Sequence, residues 1–201
     1  MRRFVLGWKK LGLERSLGTR IVTYADDLVI LCSRGNAEEA LIRMRELMGK
    51  LKLTVNQEKT RICTVPEGSF EFLGYTFGQL YKRTTGQAYI GMRPSKKSIR
   101  HMIETVHALT AEAMVWQETT ALVGKLNRSL RGWANYFQVG MTTSAYRAID
   151  TYTTKRLSRW LRNKHKNRRR GVGGYHDSYL YETLGLVRLT RLGRSNSWAK
   201  A

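Results

Sequence analysis

The sequence predicts an α+β protein: antiparallel strands with one helix, followed by a helical bundle. Three observations carry that prediction. Up to about residue 90, short β-branched and aliphatic runs alternate with a single helix-periodic stretch. Beyond "RPSKK", residues 93–97, apolar residues recur at helical spacing in three successive stripes. Charge changes at the same place: residues 1–90 carry 15 Lys/Arg and 9 Asp/Glu, and residues 91–201 carry 21 and 6. The expected organisation is therefore 1–92, 93–170 and a Gly-containing basic tail, 171–201.

The elements follow in order. "TRIVTY" and "LVILCS" flank the break Ala25-Asp26-Asp27, a hairpin signal. Asn36 can cap a helix, with Glu39 as its capping-box partner. Ala40, Leu41, Met44, Leu47, Met48 and Leu51 then share one helical face. "TRICTV", 60–65, reads as a strand, and "FEFLGYTFG", 70–78, as another, with Gly74 permitting close backbone approach or a bulge. Pro94 ends an extended run, and Ser95 can cap the next helix. Ile99, Met102, Ile103, Val106 and Leu109 form the first stripe of the second part. Leu122, Val123, Leu126, Leu130, Trp133 and Phe137 form the next, and Ala145, Ala148, Ile149, Tyr152, Leu157 and Trp160 the last. From Gly171 the chain is poorly periodic, and its structure stays open.

Bulk properties narrow the function classes. The formal charge of +21 over 201 residues repels itself unless a polyanion neutralises it, so nucleic acid is the leading partner. The longest apolar runs, such as Leu28 to Cys32, are far too short to span a membrane. Lys9 and Lys10 interrupt any signal-peptide core, so the expected site of action is the cytoplasm. Cys32 and Cys63 lie in apolar runs and read as buried thiols of a reducing compartment. The four histidines show no zinc spacing.

Asp26 and Asp27 are the sharpest chemical feature. Two carboxylates at a hairpin tip repel each other unless water or a cation separates their charges. A solvated turn accepts them; magnesium, which prefers hard oxygen ligands and substrate phosphates, gives them a purpose. The run "KRLSRWLRNKHKNRRR", 155–170, holds nine Lys/Arg: Lys155, Arg156, Arg159, Arg162, Lys164, Lys166, Arg168, Arg169 and Arg170. It reads either as a solvated face or as an RNA-phosphate track, and the cationic surroundings favour RNA. Arg131 and Asn135 lie off the apolar stripe and are candidate RNA contacts. Of Trp133, Tyr136, Phe137 and Trp160, helical spacing assigns most to the core, with Tyr136 the exception that could stack on a base.

Taken together, "YADD" on a hairpin, a helix, "LKLTVNQEKTRI" and "FEFLGYTFG" resemble the palm of reverse transcriptases encoded by group II introns. "LNRSLRGWANYF", 126–137, resembles the maturase-specific segment of that family, which forms the thumb and binds intron RNA. The resemblance implies a partial polymerase palm followed by an α-helical thumb/maturase bundle. It implies RNA-directed DNA polymerase chemistry with Asp26 and Asp27 as catalytic magnesium ligands. Tyr24 would pack beneath the template–primer end, and Lys59 would lie near the incoming nucleotide's phosphates. Asn56 either fixes the turn before its strand or touches substrate. The implied partners are intron RNA and an RNA/DNA template–primer.

The chain departs from the family pattern in one respect. A complete palm carries another metal-binding aspartate well before YADD, together with fingers, and no aspartate precedes Asp26 here. The expectation is a C-terminal fragment that holds Mg²⁺ weakly and does not copy RNA alone, with an upstream half supplied in trans. The other reading is an RNA-binding maturase remnant in which the two aspartates are idle. The tail lacks a Cys- or His-rich pattern, so no DNA endonuclease domain is expected. If the usual neighbours of the "LVIL" strand are gone, it would be a bare edge prone to aggregation or to pairing with another chain.

Overall fold

A computed structural model describes residues 1–82, 84–166 and 175–195. The chain divides into two compact units, Met1–Phe72 and Leu73–Ala201. The first contains helices α1 (Arg2–Lys10) and α2 (Leu13–Ser16), strands β1 (Thr19–Tyr24) and β2 (Asp27–Cys32), helix α3 (Ala37–Lys50) and the short strand β3 (Phe70–Phe72). The second contains strands β4 (Tyr75–Tyr81) and β5 (Ala88–Pro94), then helices α4 (Lys96–Leu109), α5 (Thr119–Tyr136), α6 (Thr143–Lys164) and α7 (Leu189–Ser195). The α+β class holds, with mixed helices and small antiparallel sheets.

In the first unit, β1 and β2 pair antiparallel in the register that puts Ile21 opposite Ile30 and Thr23 opposite Leu28. Alternation turns Ile21, Leu28, Ile30 and Cys32 towards Phe4, Trp8, Ala40, Met44 and Met48, the buried core. Phe4 and Trp8 are one helical turn apart, so both point from α1 into this core, with ring centroids 5.6 Å apart. The Trp8 indole N–H donates to Thr19 Oγ1 at 3.0 Å, and that hydroxyl donates to the Leu13 carbonyl at 3.1 Å. A buried polar tip is thereby satisfied.

Two local expectations are corrected here. Asn36 begins α3, but its side chain makes no cap hydrogen bond. Its Nδ2 instead donates to the Leu17 carbonyl at 3.0 Å, so the amide is spent on tying α3 to the preceding chain. Residues 60–65 form no strand. Pro66 removes one donor, and Gly68 N–H donates to Thr64 O at 2.7 Å, which curls the chain where a ladder would need it extended.

In the second unit, β4 and β5 form a hairpin with Phe77 opposite Met92 and Leu80 opposite Tyr89. "FEFLGYTFG" is not one continuous strand: Leu73 (φ 49) and Gly74 (φ 74) adopt left-handed backbone between β3 and β4. Gly74 shows the expected close approach. A Cβ there would lie 2.9 Å from Ser98 Oγ and 3.1 Å from Phe137 Cζ. Its carbonyl accepts from Ser95 N–H at 2.8 Å and from Ser98 Oγ at 3.0 Å. Ser95 caps α4 as expected, accepting from Ser98 N–H at 3.1 Å.

The three predicted stripes converge on one core that includes Met102, Val106, Leu122, Leu126, Leu130, Ile149, Leu157 and Trp160. Ala148, placed in the last stripe by spacing, is exposed. Residues 175–195, the described part of the expected tail, join this core through Leu180, Leu186 and Leu189. Two side chains fasten them. Asn127 of α5 donates to Gly185 O and accepts from Val187 N–H, both at 2.8 Å. Asp150 of α6, 8% exposed, accepts from Leu189 N–H at 2.9 Å, Thr190 N–H at 3.0 Å and Thr190 Oγ1 at 2.9 Å. It is a remote cap for α7. Asp150→Ala strands these donors and is expected to cost about 2–3 kcal/mol. Urea unfolding followed by helical circular dichroism measures it, and a loss below about 0.5 kcal/mol would remove Asp150 as the fastener.

Candidate functional site

The acidic turn is built by the hairpin. β1 ends at Tyr24 and β2 begins at Asp27, leaving Ala25 and Asp26 as a two-residue loop. Ala25 has φ 50, a left-handed conformation unusual for a residue with a Cβ. Tyr24 and Asp27 are register partners, so their side chains share the outer face of the ribbon with Val22 and Val29. Asp26, Asp27 and Tyr24 are all exposed, Tyr24 at 64%. The structure thus brings these three together at one tip. Two exposed, adjacent carboxylates suit magnesium, which keeps several waters and needs few protein ligands. Among the described residues no group of three or more His, Cys, Asp or Glu could hold a metal ion.

Asn56 and Lys59 sit in the irregular stretch after α3. Asn56 Oδ1 accepts from Lys59 N–H at 3.2 Å, and its carbonyl accepts from Thr60 N–H at 3.1 Å and Thr60 Oγ1 at 2.7 Å. The Asn56 side chain is engaged in shaping this turn. The Lys59 side chain is exposed.

The cationic and amide candidates of the second unit divide into two groups. Arg131, Asn135, Lys155, Arg159, Arg162 and Lys166 are exposed. Arg156 and Lys164 are engaged internally. Arg156 Nε donates to Thr110 Oγ1 at 3.0 Å and its Nη2 to Thr110 O at 2.9 Å, closing the C-terminal end of α4. Lys164 Nζ donates to Val115 O at 3.2 Å and Gln117 O at 2.7 Å, and lies 5.3 Å from the Trp160 ring centroid. Arg168, Arg169 and Arg170 lie outside the described residues. Lys96, Lys97, Arg100 and Arg128 are exposed cations that the sequence reading did not single out, although charge alone could have flagged them.

The aromatic assignments follow burial. Phe137 and Trp160 are buried and Trp133 half-buried, while Tyr136 is 55% exposed. Tyr136 is nevertheless held: its hydroxyl donates to Leu73 O at 3.0 Å, and Tyr75 donates to Tyr136 O at 2.9 Å. The two rings stack with centroids 6.2 Å apart. Burial pushes the Tyr75 hydroxyl above its ordinary value. Both cysteines are free and half-buried, and burial raises the Cys32 thiol, which favours its protonated form.

Comparison with known families assigns both halves of the chain. Residues 4–77 match the reverse transcriptase (RNA-dependent DNA polymerase) family model, a stretch that contains the acidic turn. Residues 99–175 match the group II intron maturase-specific domain, a stretch that contains most of α4 and all of α5 and α6. No curated protein matches the chain. Among the described residues no helix is long and apolar enough to cross a membrane. Two matches in this order, the first ending within β4 and the second beginning within α4, place the chain in the group II intron reverse transcriptase/maturase family.

Proposed function

We propose that the chain is the C-terminal part of an intron-encoded reverse transcriptase/maturase. Its helical unit binds intron RNA, and its acidic turn contributes to an RNA-directed DNA polymerase site without polymerising alone. The observation that carries the RNA reading is the exposed cation set on α5, on α6 and just past its end, Arg128, Arg131, Lys155, Arg159, Arg162 and Lys166, in a chain of net charge +21. Arg156 and Lys164 are excluded from that set because their donors already serve backbone carbonyls. Arg131 and Asn135 are candidate contacts to phosphate and ribose or base edges, and Tyr136 offers its ring edge rather than its committed hydroxyl.

In the same proposal Asp26 and Asp27 hold Mg²⁺, which would neutralise charge on the transferring phosphates. The strained Ala25 turn supports this: it projects Asp26 and starts β2 at Asp27, on the face that carries Tyr24. Lys59 would meet nucleotide phosphates electrostatically. Two carboxylates are part of a two-ion clamp, so the remaining ligand is assigned to another polypeptide segment, and Mg²⁺ binding by this chain alone is weak.

A salt titration with a structured intron fragment tests the RNA reading. With about six phosphate contacts, log K is expected to fall against log salt with a slope of roughly −4 to −5. A flat slope would remove the proposal.

A further inference from the structure

Trp116 has the greatest exposure among the large hydrophobic side chains described, at 76%. A single exposed apolar residue is ordinary on a protein surface. What distinguishes Trp116 is that the backbone around it is fixed. The carbonyls on either side, Val115 O and Gln117 O, both accept from Lys164 Nζ. Gln117 is itself buried, and its Oε1 accepts from Lys125 Nζ at 2.6 Å. Val115 packs against the helical core. Turn hydrogen bonds, Val115 N–H to Glu112 O at 3.1 Å and Gln117 N–H to Met114 O at 3.2 Å, complete the support. The outward ring is a property of the fold.

Lys164 also ties this loop to the C-terminal end of α6, so the backbone that flanks the indole lies beside that end, and the exposed Lys166 follows it two residues later. An exposed aromatic face tied to the end of a basic helix suits a single nucleic-acid strand, with phosphates on exposed cations of that segment such as Lys166 and a base on the ring. Glu112 and Glu118, exposed in the same loop, disfavour phosphate on the loop itself and leave a neutral base face as the fitting ligand. We propose that Trp116 is a stacking platform for an unpaired base of single-stranded RNA running past the C-terminal end of α6. This rests on the RNA-binding reading above.

The test uses the full chain, a single-stranded oligoadenylate of about 12 nucleotides and an RNA duplex of equal length, with affinity read by anisotropy. Trp116→Ala is expected to weaken single-strand binding about tenfold and to leave duplex affinity and the salt slope unchanged. Trp116→Phe, which keeps a flat ring, is expected to restore most of the loss. Circular dichroism should show both variants folded. Unchanged single-strand affinity in Trp116→Ala, with steep salt-dependent binding retained, would overturn this proposal and leave the RNA reading standing. Equal losses on single strand and duplex would overturn it too, as would an effect confined to self-association. If the unaltered chain binds neither RNA, the RNA reading fails and the platform fails with it.

Discussion

Asp26→Ala is expected to lower reconstituted DNA synthesis by at least about 100-fold. The assay supplies this chain, Mg²⁺, deoxynucleotides, an RNA template with a primer, and a second polypeptide carrying the fingers and the upstream palm aspartate. The chain by itself is expected to extend nothing, because a two-ion clamp with part of its ligands positions phosphates poorly. Addition of the second polypeptide is expected to restore synthesis. The variant removes one of the two carboxylates that the Ala25 turn presents together, so the metal loses a charged ligand and substrate phosphates lose their counter-charge. Salt-dependent RNA affinity is expected to stay unchanged, since both aspartates lie in the first unit and the proposed RNA cations in the second. Extension by the chain alone would overturn the division of labour proposed here. Restored synthesis that is indifferent to Asp26→Ala would instead favour a maturase remnant with an idle acidic turn.

Trp8→Ala is expected to destabilise the first unit by about 3–5 kcal/mol. Trp8 is fully buried, and the core it belongs to has few other fully buried side chains, chiefly Phe4, Ala40, Met44 and Met48. A unit of 72 residues has little stability in reserve, so a loss of this size is expected to unfold it at 25 °C. The truncation also takes away the donor that Thr19 accepts, leaving that buried hydroxyl with only the Leu13 carbonyl. Hydrogen exchange of the α1 and α3 amides measures the effect, with helices of the second unit as the internal reference. Trp8→Phe keeps most of the apolar volume and is expected to retain protection. A change below about 1 kcal/mol in Trp8→Ala would show that α1 is not needed to hold the hairpin that carries Asp26 and Asp27.

Much of this fold was legible because its local signals agree with its packing. The runs on either side of Ala25-Asp26-Asp27 form the expected hairpin, and its inward face is the one that alternation selects. Ser95 caps α4, and the three helical stripes become α4, α5 and α6. Where the local reading failed, a bond outside the expected element had won, nineteen residues away for Asn36 and within a local turn for Thr64. Asn36 bonds Leu17 rather than its own helix, and residues 60–65 curl through Gly68 rather than extend. The basic run looked uniform in sequence. Arg156 and Lys164 face α4 and the Trp116 loop, whereas Arg159 and Arg162 face water. Residues 175–195 show no helical period because the side chains they bury, Leu180, Leu186 and Leu189, are irregularly spaced, and Asn127 and Asp150 fix the backbone between them.

The sequence by itself determined the class, the acidic hairpin, the three long helices and the family to which they belong, since each rests on period, spacing or motif. Only the tertiary structure decided which cations remain available to a partner, why Trp116 points outward, and how the last described segment joins the core. Those outcomes depend on hydrogen bonds between residues tens of positions apart, and chain order does not encode which buried donor will meet which acceptor.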